Sequence, residues 1–526
     1  MISLFQKIIL ENICGFRNTK SYNFLNFENL SCMRKFILFI AFAFLFYSCD
    51  FNDEDDQELS TPLAICLDGL AISKASGESY KCQNYDLIGM VSLETMNATS
   101  ANDSWGWTDP STGKEYALIG LDNGTGFIDI SDPLKPIYLG KLPTQTISTI
   151  WRDLKVYNNH VYIVADFKTS TPEIDKNHGV QVFDLTRLAS VVNPPQTFTN
   201  DYLYLEHGEA HNIAINEESG YAYAVGTNTY SGGVHAIDLT NPTKPVLAGG
   251  FADAGYTHDA QVVTYKGPDL DYIGKEIYVG SNEDKVVILD VSDKKNIKII
   301  SEVEYSKTQY THQGWFTNDQ SFFIVGDELD EFNKEVNNTR SIIFDFNDLD
   351  NPKVHFEFIN STDAIDHNGY VHKNKFYLAS YTAGLRIIDV SNIVEKSMSE
   401  IGYFDTYNEK EDSGSSILSD SNRLNYSQDE DHDNPKKGGA AAFNGAWSVY
   451  PYFKSENIII SDINSGLSIL SDSNRPNYSQ DEDHDNPKKG GAAAFNGAWS
   501  VYPYFKSENI IISDINSGLF IVKKQN

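Results

Sequence analysis

The chain has 526 residues, and 73 Asp and Glu against 41 Lys and Arg give it a formal net charge of −32. Hydrophobic residues at 41% and aromatic residues at 13% are enough for a sizeable core, which excludes a chain disordered throughout. The acidity argues against a nucleic-acid partner, because duplex affinity rests on Lys and Arg neutralising phosphates. It also disfavours docking on an anionic membrane through protein charge, and it favours a cation or a basic partner.

The amino-terminal region has the pattern of an export signal. A short basic stretch at 33–35 precedes an unbroken apolar run at 36–47, then Ser48 and Cys49, then acidic residues at 50–56. Such a run is typical of a secretory signal and is short for a transmembrane span.

The end of this run resembles the lipobox of bacterial lipoproteins, in which the cysteine is lipidated and becomes the first residue of the mature chain. We therefore predict lipidation of Cys49, an upstream extension plus signal peptide at 1–48, and an acidic tether at 49–63. This predicts an outer-membrane or cell-surface lipoprotein. A plain signal peptide with an incidental cysteine is the alternative.

The five cysteines all lie within the first 82 residues. After the predicted cleavage, Cys66 and Cys82 are the only thiols left besides Cys49. Because export places them in an oxidising compartment, we predict a disulfide between Cys66 and Cys82.

The body of the chain is a repeat. An apolar–apolar–Asp–apolar–polar segment occurs six times, with the aspartates 44 to 55 residues apart, at Asp129, Asp184, Asp238, Asp290, Asp345 and Asp389. Short β-rich runs flank each segment, and helical periodicity is nearly absent. Four short strands per unit of about fifty residues is typical of propeller blades. Each aspartate is expected to bond nearby backbone N–H groups and fix the turn after the third strand.

The expected fold is an all-β, seven-bladed β-propeller over residues 64–526. Residues 416–467 recur as 468–519, shifted by 52 and differing at one position. Looping out one copy leaves seven blades, and using both gives eight. The acidic segments 407–438 and 471–490 are predicted to be disordered insertions. Residues 85–91 precede the first blade and are expected to supply the outer strand of the last, which removes an open sheet edge.

Several motifs together carry a family resemblance. They lie at 102–110, 151–156, 210–213, 256–261, 310–315, 365–368 and 443–447. In combination they resemble the choice-of-anchor B family, which is built on LVIVD-type repeats and predicted to form β-propellers. The resemblance spans about residues 64–526 and implies an exported protein attached by one of several routes, including lipidation. It implies no established activity and no catalytic residues.

A ring of residues at the blade starts is the candidate site. Aligned on the second strand of each unit, one register position holds Trp105, Arg152, His211, His258, His312, His367 and Trp447. The next position includes Asp153, Asn212 and Asp259. The first strand of a blade is innermost, so both positions are expected at one mouth of the central channel. We predict that the four histidines bind a divalent metal, zinc or similar. Trp105, Arg152, Asp153, Asn212, Asp259 and Trp447 are predicted to contact a ligand.

Other interpretations stay open at this point. Each histidine could instead hold a blade junction by bonding a neighbouring backbone carbonyl, or it could be catalytic. We find no phosphate-loop, nucleophile-elbow or His-Glu-x-x-His motif. The sequence favours an exported, lipid-anchored binding scaffold, expected to be monomeric, for an unknown extracellular protein or glycan. An extracellular metal-dependent enzyme is the alternative.

Overall fold

The computed structural model describes residues 62–74, 76–167 and 177–407, and parts of 443–525. The predicted signal, the lipidation at Cys49, the tether before residue 62, and the insertions 408–438 and 471–490 lie outside the described residues. Within the described ranges, no helix is both long enough and apolar enough to cross a membrane.

Six antiparallel sheets follow one another along the chain, and each contains four sequential strands that we call a, b, c and d. Blade 1 comprises Ala101–Thr108, Glu115–Leu121, Gly124–Asp129 and Ile137–Pro143; blade 2 comprises Trp151–Tyr157, His160–Asp166, Val180–Asp184 and Tyr202–Tyr204. Blade 3 comprises Asn212–Asn216, Tyr221–Val225, Val234–Asp238 and Val246–Phe251; blade 4 comprises Asp259–Thr264, Glu276–Ser281, Val286–Asp290 and Lys298–Val303. Blade 5 comprises Thr311–Phe316, Phe322–Asp327, Arg340–Asp345 and Lys353–Ile359; blade 6 comprises Gly369–His372, Lys375–Ala379, Leu385–Asp389 and Ser399–Phe404. The a strands of adjacent blades contact one another, as in a propeller with an inner channel.

The predicted turn aspartates are confirmed in all six blades. Each aspartate ends strand c, and its Oδ1 accepts the backbone N–H two residues further on, at 2.7 to 3.0 Å. The bond fixes the chain just after strand c in every blade, and in blade 2 the same bond begins the 3₁₀ helix Leu185–Ser190.

Short strands are added outside the six blades. Gln196–Thr197 pairs in parallel with strand d of blade 1. Cys66–Leu67, Leu70–Ile72 and Ser79–Gln83 extend blade 6 outwards. The predicted disulfide between Cys66 and Cys82 joins the first and third of these strands and is confirmed. The described helices are short, at Leu93–Met96, Leu185–Ser190, Tyr230–Gly232 and Ile393–Glu395.

One further sheet joins the two ends of the described chain. Tyr85–Val91 pairs with Gly518–Lys524, as expected for a closing strand. The sheet also contains Ala498–Tyr502, Asn509–Ile515, Phe443–Tyr450, Ile458–Asp462, Ser465–Leu470 and Phe495–Asn496. Leu467 and Leu519 are equivalent residues of the two sequence copies, and both are in register with Val91. Both copies are therefore in register with the same residue of the closing strand.

Apolar side chains fill the spaces between neighbouring blades. One cluster joins Tyr223 and Val234 of blade 3 to Val262 and Leu289 of blade 4. Another joins blade 4 to blade 5 through residues such as Ile277 and Phe344. Because the alternating side chains of each strand pack against two different neighbours, these layers fix the blades around the channel and so position the inner strands.

Candidate functional site

Four histidines lie side by side at the inner strands of blades 3 to 6. His211, His258, His312 and His367 stand at or just before the start of strand a, and we call them the histidine fan. Consecutive ring centroids are 4.1, 4.3 and 4.2 Å apart, and consecutive rings are tilted by about 45°. The structure thus brings the four predicted metal ligands together in chain order.

Hydrogen bonds orient two of these rings. His258 Nδ1 lies 3.0 Å from the backbone oxygen of His312, and His211 Nδ1 lies 3.0 Å from Asp166 Oδ2. A carbonyl oxygen can only accept, so Nδ1 of His258 carries the proton and its Nε2 keeps a lone pair. Metal-binding histidines are commonly oriented in this way. The backbone bond of His258 therefore serves the blade junction and also leaves a ligand atom available.

A glutamate completes a chelating group with two histidines of the fan. Glu328, directly after strand b of blade 5, has its carboxylate oxygens 3.7 Å from His312 Nε2 and 3.7 Å from His367 Nε2. One donor atom from each residue lies within 4.8 Å of the others. Ligands about 2.0 to 2.1 Å from a tetrahedral zinc ion are about 3.3 Å apart. A small inward movement would therefore let all three residues bind one ion.

Burial sets the protonation of this group. It lowers the pKa of His258, His312 and His367 well below the ordinary histidine value, and neighbouring imidazoles lower it further. The rings are therefore neutral near pH 7, which is the form that binds metals. Burial also raises the pKa of Glu328 to about 7, although a hydrogen bond from Tyr381 at 2.5 Å opposes that shift.

The residues that come one position after the fan residues along the chain, together with the equivalent residues of blades 1 and 2, form a second group of side chains, which we call the second level. Asp103, Asp153 and Gln313 each accept a backbone N–H from strand a of the next blade, at 3.3, 2.8 and 3.0 Å. Lys155 bridges the two aspartates, with its Nζ 3.2 Å from Asp103 and 2.5 Å from Asp153. Asp153, which the sequence suggested as a ligand contact, is thus engaged in joining blades 2 and 3.

Asn212 and Asp259 occupy the same level but make no such bond to the next blade among the described residues. Asp259 instead accepts its neighbour's N–H, from Ala260, at 2.5 Å, and Asn212 Oδ1 has no hydrogen-bond partner. Both residues line a cavity of about 10 Å³ together with His211, His258 and His312. These two of the predicted ligand contacts therefore face open space at the channel axis.

Arg152 and Trp447 are two further predicted contacts. Arg152 also reaches the cavity, but its guanidinium donates to Leu121 O and Thr144 Oγ1 and lies 3.0 Å from His178 Nε2, so it holds blades 1 and 2 together. The backbone of Trp447 lies in the strand Phe443–Tyr450, and its side chain is outside the described part.

Trp105 is not at the level of the fan. Its ring lies 4.7 Å from Lys155 Nζ and 6.3 Å from the ring of Tyr370. Lys155 comes three residues after Arg152, and Tyr370 comes three residues after His367. Strand a of blade 1 is also irregular by one residue between Ala101 and Ser104, which accounts for part of this three-residue displacement. Asp103 bonds blade 2 as Asp153 bonds blade 3, so the register partner of Arg152 is Asn102.

A groove opens beside the fan, between loops of blades 4 and 5. Its volume is about 450 Å³, and it is lined by Tyr256, Asn282, Glu283, Asp284, Lys285, Gln309 and Tyr310, among others. The Tyr310 ring lies 5.1 Å from that of His258, so the groove adjoins the fan. Sequence reasoning missed Tyr256 and Tyr310 as site residues, although the repeated Tyr-Thr-His tripeptides at 256–258 and 310–312 were a usable signal.

Comparison with known proteins supports the repeat. Residues 371–406 match the LVIVD repeat. The chain carries an LVIVD repeat on a β-propeller. The matched residues run from strand a of blade 6 to the end of its strand d, so this repeat corresponds to one blade.

Solved structures with similar folds are distant. A hydrazine synthase from Kuenenia stuttgartiensis is 13% identical and covers 53% of this chain and 75% of its own, with a TM-score of 0.39. A functionally unknown protein from Desulfotomaculum acetoxidans is 12% identical and covers 55% of this chain and 83% of its own, with a TM-score of 0.40. A Lactobacillus plantarum protein is 14% identical and covers 58% of this chain and 81% of its own, with a TM-score of 0.37. No curated protein matches the sequence.

Proposed function

We propose that this protein is a binding scaffold whose channel mouth holds a zinc-type divalent cation, coordinated by His312, His367 and Glu328. The observation that carries the proposal is the convergence of two imidazole Nε2 atoms on one carboxylate, both at 3.7 Å. Two histidines and one glutamate are a known zinc ligand set that leaves a further coordination position open. That open position would receive a polar group of the ligand.

The adjacent groove supplies the rest of the binding surface. At about 450 Å³ it is within the usual size range of small-ligand sites. Tyr256, Tyr310 and the acidic pair Glu283 and Asp284 line it. An extracellular glycan or a protein side chain that enters the groove could reach the cation past Tyr310.

A metal-dependent enzyme is the second candidate, favoured by the hydroxyl of Tyr381, which donates to Glu328 at 2.5 Å. A bound zinc ion supplies Lewis acidity and lowers the pKa of a water ligand. In this chain, Tyr381 is the group that could hold or move a proton beside the ion.

The cellular setting and the blade count belong to the same proposal. We infer an exported lipoprotein of the choice-of-anchor B type, anchored through Cys49, with the propeller outside the membrane. We also infer a seventh blade, formed by Tyr85–Val91 with one copy of the duplicated segment. One copy suffices, because Ala498–Tyr502, Asn509–Ile515, Gly518–Lys524 and Tyr85–Val91 pair in that order as four strands.

Elemental analysis and zinc calorimetry on chelator-treated protein test the site. We expect one zinc per chain, and we expect Glu328→Gln and the pair His312→Asn with His367→Asn to weaken zinc binding at least a hundredfold. The exposed group Asp269, Asp348 and Asp350 provides the control, since Asp348→Asn should leave zinc affinity unchanged. Zinc binding that survives Glu328→Gln, or that is lost in Asp348→Asn, contradicts the proposal.

A further inference from the structure

The cavity beneath the histidine fan lies on the channel axis. It is lined by residues from six blades: Asp103, Trp151, Arg152, Asp153, His211, Asn212, His258, Asp259, His312 and Asn368. Its volume of about 10 Å³ is room for about one water molecule or one bare cation. No part of the zinc site proposed above uses the oxygen atoms of this cavity.

Two amide oxygens at the cavity lack a hydrogen-bond partner. Asn212 and Asn368 are 8% and 4% exposed, and Oδ1 of each receives no hydrogen bond. Buried polar atoms without a partner are uncommon and costly. Asp103, Asp153 and Gln313, at the same level of neighbouring blades, do receive such bonds. The two asparagines therefore point to an occupant of the cavity.

The charge around the cavity is unbalanced. Asp103, Asp153 and Asp259 are all less than a tenth exposed, and Lys155 is the single ammonium group among them. Arg152 interacts electrostatically with Asp122 and so has its own counter-charge. Three carboxyl groups and one ammonium group therefore share this buried level of the channel.

We propose that this cavity is a second cation site, for a hard cation such as Ca²⁺, held by the oxygens of Asn212, Asn368 and Asp259. Carboxylate and amide oxygens are the ligands that Ca²⁺ takes, whereas the imidazoles above suit zinc. The ion would join blades 3, 4 and 6 at the axis. At these positions Asn212, Asn368 and Asp259 make, among the described residues, no bond to the next blade of the kind that Asp103, Asp153 and Gln313 make. Bound Ca²⁺ therefore stabilises ring closure.

Terbium luminescence on the chelator-treated full chain tests the site. Tb³⁺ takes oxygen ligands like Ca²⁺, and Trp151 lines the cavity, so excitation of tryptophan should sensitise a bound ion. The exposed acidic group Asp269, Asp348 and Asp350 could bind Tb³⁺ adventitiously. The measurement is therefore made on the Asp348→Asn, Asp350→Asn variant, which should bind one Tb³⁺ that Ca²⁺ displaces. Ca²⁺ should also raise its melting temperature.

Single substitutions then locate the ion. Asn212→Leu and Asn368→Leu should each weaken Tb³⁺ binding at least tenfold. Asn212→Asp should bind at least as tightly as the parent, and it decides the question if the leucine variants do not melt cooperatively. If Tb³⁺ binding is absent, is unchanged by Asn212→Leu, or is weakened by Asn212→Asp, the cavity holds water alone and the proposal fails.

The outcome is separable from that of the zinc site. Glu328→Gln should lose zinc while keeping sensitised Tb³⁺ luminescence, and Asn368→Leu should do the reverse. Loss of both ions in both variants would overturn the assignment of two distinct sites.

Discussion

The inner strands of blades 1 and 2 and those of blades 3 to 6 occupy equivalent places around one channel, yet their side chains do different things. In blades 1 and 2, Asp103, Asp153, Lys155 and Arg152 are joined to each other and to neighbouring backbone atoms. In blades 3 to 6, four imidazole rings stand side by side with centroids 4.1 to 4.3 Å apart. The same position in a repeat therefore holds a hydrogen-bonded cation in blade 2 and an imidazole beside other imidazoles in blades 3 to 6.

The largest expected loss of stability comes from removing a buried charge in blades 1 and 2. Lys155→Met leaves Asp103 and Asp153 without their ammonium partner in a buried place. Removing one member of a buried charge cluster costs about 3 to 5 kcal/mol. Urea unfolding measures the loss, and Lys114→Met is the matched control. The exposed pair of Lys114 with Asp129 should contribute less than about 1 kcal/mol, and equal losses in the two variants would refute the contrast.

Arg152 and His312 occupy the same register position in the two halves, so substituting each of them compares the halves directly. Arg152→Met removes bonds to Leu121 O and Thr144 Oγ1, so we expect a loss of about 2 to 3 kcal/mol in the free energy of unfolding. His312→Asn should cost about 1 kcal/mol without metal, because its imidazole has fewer structural bonds. Chemical unfolding of metal-free protein provides both values. A larger loss for His312→Asn would mean that the fan is structural.

Acid should reveal histidines that are buried for structure alone. Burial lowers the pKa of His178 and His207 to about 3 and that of His235 to about 4. The unfolded chain then binds more protons than the folded one below about pH 6.5, so stability is present above that pH and is lost as pH falls. His235→Gln should reduce the slope of unfolding free energy by about 1 kcal/mol per pH unit between pH 6 and 5. An unchanged slope would show that His235 is not buried as a neutral ring.

The turn aspartates should not distinguish the halves. Asp129 in blade 1 and Asp290 in blade 4 make the same bond, at 3.0 Å in both blades. Asp129→Ala and Asp290→Ala should therefore each lower the unfolding free energy by about 1 kcal/mol, with a difference below about 0.5 kcal/mol between them. Thermal melts of the two variants measure this, and a clear inequality would show that the blades do not share one turn.

Much of the architecture was readable from the chain itself. The spacing of the six aspartates predicted the blades, and the structure confirms a propeller of strands with those turns. The Cys66–Cys82 disulfide is confirmed, and residues 85–91 pair with the carboxyl-terminal strand as expected. These features depend on local patterning and on which residues are close along the repeat. The total of seven blades, lipidation of Cys49 and metal binding by the histidines remain predictions.

The sequence by itself determined the repeat, the strand order and the residue types at the inner strands, because alternation and turn chemistry are local properties. Only the tertiary structure decided that Glu328 reaches His312 and His367, that Trp105 lies below the fan, and that Asn212 and Asn368 keep unpaired oxygens at the axis. An irregularity such as the one between Ala101 and Ser104 shifts a strand's register by one residue. Its place depends on how neighbouring strands pair and pack, which no single repeat encodes.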